Sequence, residues 1–235
     1  MLKTDLHLHC NGDPEDVFIK YSAKELIDHA ASLKFDVIAI TCHNKVLYSD
    51  GLQEYANSRN ILLIPGVEAY IENRHVLLFN FTQEEVNKVK NFNDLRKIKE
   101  DKHLVIAPHP YYVNLNPFDL RQISLFSKLE KNIDVFDAIE FCNLYSRHFN
   151  RANKKANKIA KENNISLVGN SDLHRLKYMG TNFSLVDSNN NVNSVIKAIK
   201  NGKVELSSRP RTAFEVGEIL SFFFMCNMKK KLFYR

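Results

Sequence analysis

Short apolar runs of strand length alternate with longer stretches patterned for helix along most of this chain. The runs are DVIAIT (36–41), ILLIPGVEAYI (61–71), HVLLFNF (75–81), HLVIAPHP (103–110), FDAIEFCN (136–143) and SLVGNSD (166–172). Most have the length and β-branched content of buried strands. Between them, SAKELIDHAASLK (22–34) offers Ser22 as N-cap and Glu25 three residues on, a capping box. Residues 49–60, 83–100, 147–164 and 192–202 also fit helices, the last ending at Gly202. Such alternation predicts an α/β fold on a parallel sheet, because parallel neighbours need a crossover that is usually helical. A closed barrel is favoured over an open sheet. The unusual polar residues fall at strand C-terminal ends, where barrels build their sites.

The 235 residues, 44% of them hydrophobic, suffice for one sizeable core, and no Pro-rich or Ser/Gly-rich linker divides them. Residues 1–235 are therefore read as a single domain. Cys10, Cys42, Cys142 and Cys226 form no CxxC pair, which argues against a zinc ribbon. Their sparse spacing suits reduced thiols in a cytoplasm. MLKTDLHLHC lacks the apolar stretch of a secretory signal, and LSFFFMC (220–226) is too short to span a bilayer. The expectation is a soluble, cytoplasmic protein with no membrane partner. The net charge of +6 comes from lysines spread along the chain. Spread lysines suit solvated helix faces with a mild preference for anions. The cluster Lys229, Lys230 and Lys231 is too small to argue for nucleic acid.

In TDLHLHCNGDPED (4–16), His7 and His9 stand two apart at the end of the first apolar run. Residues two apart on a strand share a face, so the pair forms half of a metal site. The same residue types recur at later strand ends: His43 after DVIAIT, Glu68 after ILLIPG, His75 opening VLLFNF, His109 after LVIA, then Asp172 and His174 after SLVGN. Asp172 and His174 repeat the two-apart spacing. Imidazole and carboxylate gathered at one barrel end is the donor set of a Zn, Mn or Fe hydrolytic centre. In the acidic loop Asp13, Glu15 and Asp16, one residue is expected to reach a metal, with Asp13 favoured. Three histidines fall outside the pattern. His29 reads as helix packing, His103 as solvent-facing at the wrong strand end, and His148 as structural or a cap.

The ordered set DLHLHC, DVIAITCHN, PGVEA, HVLLFN, APHP, DAIEFCN and GNSDLH, from residue 5 to 174, resembles the PHP (polymerase and histidinol phosphatase) family of metal-dependent phosphoesterases. The resemblance implies a distorted (β/α)7 TIM-like barrel with a cluster of two to three divalent ions at the strand C-terminal ends. It implies that His7, His9, Glu68 and Asp172 hold the first ion. Glu68 would bridge to a second, completed by His75 and His109, while Asp13, His43 and His174 would hold a third. Three departures stand out. The usual TDH is TCH, so the acid before His43 is missing. The usual SDG is replaced within NGDPED. The stretch from Glu68 to His75 is short, which predicts a tight hairpin.

A carboxylate bridging two ions suits a shared, activated water that attacks phosphorus in line. Glu68, His109, Asp172 and His174 form the expected catalytic set, with His109 or His174 as candidate proton donor to the leaving oxygen. Arg147, Arg175 and Lys45 are candidates for binding the substrate phosphate. The expected activity is hydrolysis of a small-molecule phosphate monoester, nucleotide or histidinol-phosphate-like. Alternatives are a nuclease acting on nucleic-acid ends, a catalytically silent metal-binding regulatory module and, ranked last, an amidohydrolase-type barrel. The segment 207–235, with Phe222 to Phe224, is expected to pack on the barrel rather than form a subunit contact. Exact substrate and oligomeric state are left open.

Overall fold

The computed structural model describes residues 1–112 and 123–233. The strands are β1 (Leu2–Leu8), β2 (Val37–Ile40), β3 (Leu62–Ile71), β4 (Arg74–Phe79), β5 (Leu104–Ala107), β6 (Ala138–Phe141), β7 (Ser166–Gly169), β8 (Asn182–Val186) and β9 (Val204–Ser208). The helices are α1 (Ala23–Ser32), α2 (Asp50–Asn57), α3 (Gln83–Lys88), α4 (Phe92–Ile98), α5 (Ser127–Lys131), α6 (Arg151–Glu162), α7 (Val192–Lys200) and α8 (Ala213–Phe233). No helix among the described residues is long and apolar enough to cross a membrane.

All nine strands form one sheet in the order β7-β6-β5-β4-β3-β2-β1-β8-β9, curled into a nearly closed barrel. Closure runs through side chains and loop backbone rather than a full strand ladder. The Gly169 amide donates to Ser184 Oγ at 2.9 Å, and Asn182 Nδ2 donates to the Phe141 and Asn170 carbonyls at 2.8 and 2.7 Å. Just past β7, the Leu173 amide donates to the His7 carbonyl at 3.1 Å, and the His9 amide donates to the Leu173 carbonyl at 3.2 Å. Gly169 sits at this seam because a Cβ there would lie 2.6 Å from the Phe183 carbonyl oxygen.

The α/β barrel expectation therefore holds, with a different strand plan from (β/α)7. The pairs β1–β2, β2–β3, β5–β6 and β6–β7 are parallel, whereas β4 runs antiparallel to both of its neighbours. The cause is the short link read between Glu68 and His75. Glu72 and Asn73 form a two-residue turn with φ of 49° and 61°. Turns with positive φ at both central residues match strand twist and reverse the chain within two residues. The start of β4 thus lies at the same barrel end as the C-terminal ends of the parallel strands. That is how His75, at the opening of its run, reaches the site.

The capping box at Ser22 and Glu25 starts α1 as expected. Its buried Leu26, Ile27 and Ala30 pack against Leu8, Ile38, Ile40 and Leu63 of the sheet. On the far side Phe92 and Leu95 of α4, with Ala156 and Ala160 of α6, cover Val67, Ala69, Val76 and Leu78. Each Val, Leu, Ile or Phe among them contributes about 1.5–3 kcal/mol on burial, so the barrel wall is held from both sides.

Several expectations need correction. The stretch 83–100 is two short helices, each with its own N-cap, Thr82 and Asn91. Helix α6 begins at Arg151, which leaves Arg147 and His148 exposed before it. His103 is not solvent-facing: it is fully buried, stacked on Phe81 with ring centroids 3.8 Å apart, and its Nδ1 accepts from the Glu100 amide. The ring stack and the Nδ1 hydrogen bond offset part of that burial, while Nε2 has only Glu85 Oε1 nearby, at 3.7 Å. Strands β8 and β9 are additional to the strands that the sequence pattern predicts. The first part of α8 lies on the barrel: Ile219 is buried, Glu218 accepts from the Tyr178 hydroxyl at 2.6 Å, and Phe222 meets the Phe18 ring edge-on at 5.2 Å. The side chains of Phe223 and of residues 226–233, including Cys226 and Lys229–Lys231, lie outside the described residues.

Candidate metal centre

Along β1 the apolar Leu6 and Leu8 alternate with the polar Asp5, His7 and, just past the strand, His9. Period-two alternation puts the polar set on one face. All three are completely buried. Burying that much polarity is tolerated only where partners satisfy it, and the partners come from the ends of the other strands.

Glu68 lies at the middle of the cluster and divides its two oxygens. Oε2 lies 3.3 Å from His7 Nε2, 3.4 Å from His9 Nε2 and 3.2 Å from His43 Nε2. Oε1 lies 2.5 Å from His75 Nδ1 and 3.3 Å from His109 Nε2. Asp172 completes the first group, its Oδ1 3.4 Å from His7 Nε2 and 3.6 Å from His9 Nε2. The Nε2 atoms of His7 and His9 are buried and make no hydrogen bond. Two unsatisfied imidazole nitrogens converging with two carboxylate oxygens fit the donor set of a divalent cation. Four further groups among the described residues have ligand atoms close enough to share an ion: His7 with His109 and Asp172, His43 with Glu68 and His75, His9 with Asp172 and His174, and His9 with Asp13, Asp16 and His43.

The residues behind the ligands fix which ring nitrogen faces inward. Glu140, on β6, places Oε2 2.9 Å from His7 Nδ1, while its Oε1 accepts from the His109 amide at 3.2 Å. Asn170 Nδ2 also donates to Glu140 Oε2, at 3.0 Å. A carboxylate on Nδ1 holds the proton there and turns a bare Nε2 toward the metal position. Asp13 does the same for His9, with Oδ2 2.8 Å from Nδ1. The quoted motif DAIEFCN carried Glu140, but nothing in its spacing marked the residue as the support of His7. Asp5 was missed too. It accepts from the Ser171 and His7 amides and so ties the loop after β7 to β1.

The three acids of the loop separate by contact. Asp13 Oδ1 accepts from the Glu15 and Asp16 amides at 2.8 and 3.1 Å, and its Oδ2 accepts from the His43 amide at 2.9 Å. Both oxygens also approach His43 Nδ1, at 3.1 and 3.0 Å. Asp16 turns instead to His174, with Oδ2 2.9 Å from Nε2, and lies 3.7 Å from His43 Nδ1. Glu15 reaches the Tyr70 hydroxyl, which donates to its Oε2 at 3.2 Å.

Backbone strain marks the same place. His109 and Asp172 have φ of 28° and 46°. Non-glycine residues in that region cost free energy and persist where surrounding structure fixes them. Both lie in the short loops just past β5 and β7, with side chains toward Glu68 and His7.

Charge and burial oppose one another throughout. Burial pushes the His7 imidazole down, but the carboxylates of Glu140, Asp172 and Glu68 together raise it well above its ordinary value. Burial likewise lowers His43 and His174, yet Glu68 lifts the first and Asp16 the second to about 9. Burial pushes Glu68 up, and the surrounding His75, His7 and His43 bring it well below the carboxylate range. Burial dominates at His75, which is lowered despite Glu68. Without a cation the cluster needs protons to balance its carboxylates.

The expected phosphate-binding residues are not gathered at the cluster. Arg147 is exposed, and Lys45 is an exposed lysine whose Nζ donates to the Gly12 carbonyl at 3.2 Å. Arg175 follows His174 in the chain, but its Nη1 donates to Glu218 of α8 at 3.1 Å and its guanidinium lies over the Phe222 ring. Aromatic rings frame the ligands: Tyr70 stands edge-on to His75 at 4.5 Å, and Phe18 stacks on His174 at 6.3 Å.

Known proteins share this architecture. A family model described as PHP-associated matches residues 150–204. A two-domain protein from Bacteroides vulgatus containing a predicted PHP-like metal-dependent phosphoesterase aligns with TM-score 0.68 and 17% identity, over 94% of this chain and 69% of that one. PsfC from Pseudomonas syringae aligns with TM-score 0.60 and 15% identity, over 98% of each chain. A proposed metal-dependent phosphoesterase from Bifidobacterium adolescentis aligns with TM-score 0.58 and 14% identity, over 93% of this chain and 95% of that one. No curated protein matches the chain significantly. The fold is that of the PHP-like metal-dependent phosphoesterases, as the sequence motifs imply.

Proposed function

We propose that this chain is a metal-dependent phosphoesterase that hydrolyses the phosphate monoester of a small molecule, using two to three divalent ions of Zn, Mn or Fe. The observation that carries the reading is the convergence of the buried, unsatisfied Nε2 atoms of His7 and His9 on oxygens of Glu68 and Asp172. Ions bound there would supply Lewis acidity to the phosphoryl oxygens and lower the pKa of a water toward neutrality.

The chain's own residues do the holding. His7, His9, Glu68 and Asp172 form the first ligand group. Glu68 offers its other oxygen to a second group with His75 and His109. His43, Asp16 and His174 form a third. Asp16 takes the ligand role there because Asp13 already accepts from three backbone amides and holds the Nδ1 sides of His9 and His43. Glu140 and Asp13 keep His7 and His9 in the tautomer that presents Nε2.

The test is elemental analysis of protein reconstituted with each metal, paired with a turnover screen over nucleotides, sugar phosphates and short oligonucleotides. Two to three ions per chain and turnover of a small ester are expected, with both lost in Glu68→Gln and Asp172→Asn. Full activity in both variants would overturn the assignment. Cleavage of oligonucleotides alone would replace it with a nuclease, and bound metal with no turnover on any ester would replace it with a silent binding module.

A further inference from the structure

Cys10 and Cys42 lie far apart in sequence and meet directly behind the metal centre. Their Sγ atoms are 4.0 Å apart and both residues are fully buried. The cause is strand register: Leu8 on β1 pairs with Ile40 on the parallel β2, so two residues further along Cys10 comes opposite Cys42. Adjacent strands lie about 4.8 Å apart, inside the Cα separation a disulfide accepts, roughly 4.4–6.8 Å. Each cysteine is also next to a candidate ligand, Cys10 after His9 and Cys42 before His43. Each begins a tight turn at the site: the Cys10 carbonyl accepts from the Asp13 amide, and the Cys42 carbonyl from the Lys45 amide.

We propose that Cys10 and Cys42 form a reversible disulfide that switches the metal centre off under peroxide. The sulfur of one thiol attacks one oxygen of hydrogen peroxide, the O–O bond breaks, and the sulfur becomes a sulfenic acid while the leaving hydroxide takes the thiol's proton and departs as water. The second thiol attacks that sulfur, forms the S–S bond and releases another water. The two electrons lost by the thiols reduce the peroxide, and a dithiol reductant reverses the change. Burial selects a small oxidant over a bulky disulfide such as oxidised glutathione.

The consequence follows from distance. The sulfurs must close from 4.0 Å to about 2.05 Å. The shift is shared by two turns whose residues His9, Asp13 and His43 interlock at 2.8–3.1 Å. Well-formed metal sites hold ligand distances to within about 0.2 Å of their usual values. The disulfide form therefore loses affinity at the groups that use His9 and His43. That consequence rests on the metal-centre reading; the disulfide itself does not.

The experiment treats the intact protein with hydrogen peroxide and, separately, with oxidised glutathione. Non-reducing peptide mapping and metal content follow, with and without dithiothreitol. The expected result is a Cys10–Cys42 cross-link after peroxide, the loss of two free thiols, and a metal affinity about tenfold or more weaker that the reductant restores. Cys42→Ser and Cys10→Ser should each abolish the cross-link and leave metal content resistant to peroxide. Oxidation confined to Cys142 or Cys226, or a Cys10–Cys42 link that leaves metal affinity unchanged, would overturn the switch. The peptide map needs no turnover, so it stands apart from any failure to find a substrate.

Discussion

Replacing Glu140 with glutamine removes one charge, keeps the side-chain shape and touches no candidate ligand role directly. Glu140 accepts from three N–H groups, at His7 Nδ1, the His109 amide and Asn170 Nδ2. Glutamine offers one acceptor oxygen and one donor nitrogen. If the oxygen takes the His109 amide, the new NH2 faces both Asn170 and His7. His7 can then remain satisfied only by shifting its proton to Nε2, which blocks the nitrogen that faces Glu68 and Asp172. Outer supports of metal-bound histidines are worth about 10–100-fold in affinity, or roughly 1.4–2.7 kcal/mol. Glu140→Gln should therefore bind the first ion 10–100-fold more weakly, measured by competition against a chelator of known affinity. A melting curve run beside it checks that the variant folds. A folded Glu140→Gln with wild-type metal affinity would refute the tautomer argument.

Asp16→Asn should lower metal stoichiometry by one ion, whereas Asp13→Asn should weaken all ions through His9 and His43 and cost stability as well; elemental analysis and thermal melts distinguish the two patterns. The metal-free protein should lose stability as pH rises from 6.5 toward 9. His43 and His174 are raised to about 9 in the fold, by Glu68 and by Asp16 against the opposing pull of burial. Since the folded value exceeds the ordinary 6.5, the protonated form stabilises the fold below that value and the contribution, roughly 3 kcal/mol at most for His43, fades through 9. The metal-loaded protein should show the reverse trend in affinity, because imidazole must be deprotonated to bind; a flat melting profile across that range in metal-free protein would contradict the assignment. Gly169→Ala should destabilise by about 1–3 kcal/mol, read by chemical denaturation, since its Cβ would press on the Phe183 carbonyl.

The sequence announced the centre better than the scaffold, and the reason is physical. Candidate ligands such as His7, His9, Glu68, Asp172 and His174 sit at or just past strand ends, so spacing and position alone expose them. Strands β8 and β9 have no such signature. Asn182–Val186 and Val204–Ser208 pair antiparallel at the open side of the sheet, and their stability comes from meeting β1 and each other. Helix α8 is expected only to pack on the barrel; the particular partners of Glu218 and Phe222, among them Phe18, Arg175 and Tyr178, are set by the fold.

The division of labour among Asp13, Glu15 and Asp16 shows where the legible part of the site ends. All three acids lie within four residues, and any of them has the chemistry to ligate. What separates them is which backbone amides the loop turns inward. Asp13 is captured by the amides of Glu15, Asp16 and His43, a demand set by the loop's closure on β2 and not by its own sequence. In the proposed assignment this carboxylate, already accepting from those amides, orients imidazoles. Asp16, left facing His174, keeps the position from which an oxygen can enter a cation's coordination. Candidate ligands can thus be read from residue types, but in the proposed assignment the split between holding a metal and holding its ligands rests on backbone hydrogen bonds that only the folded chain reveals.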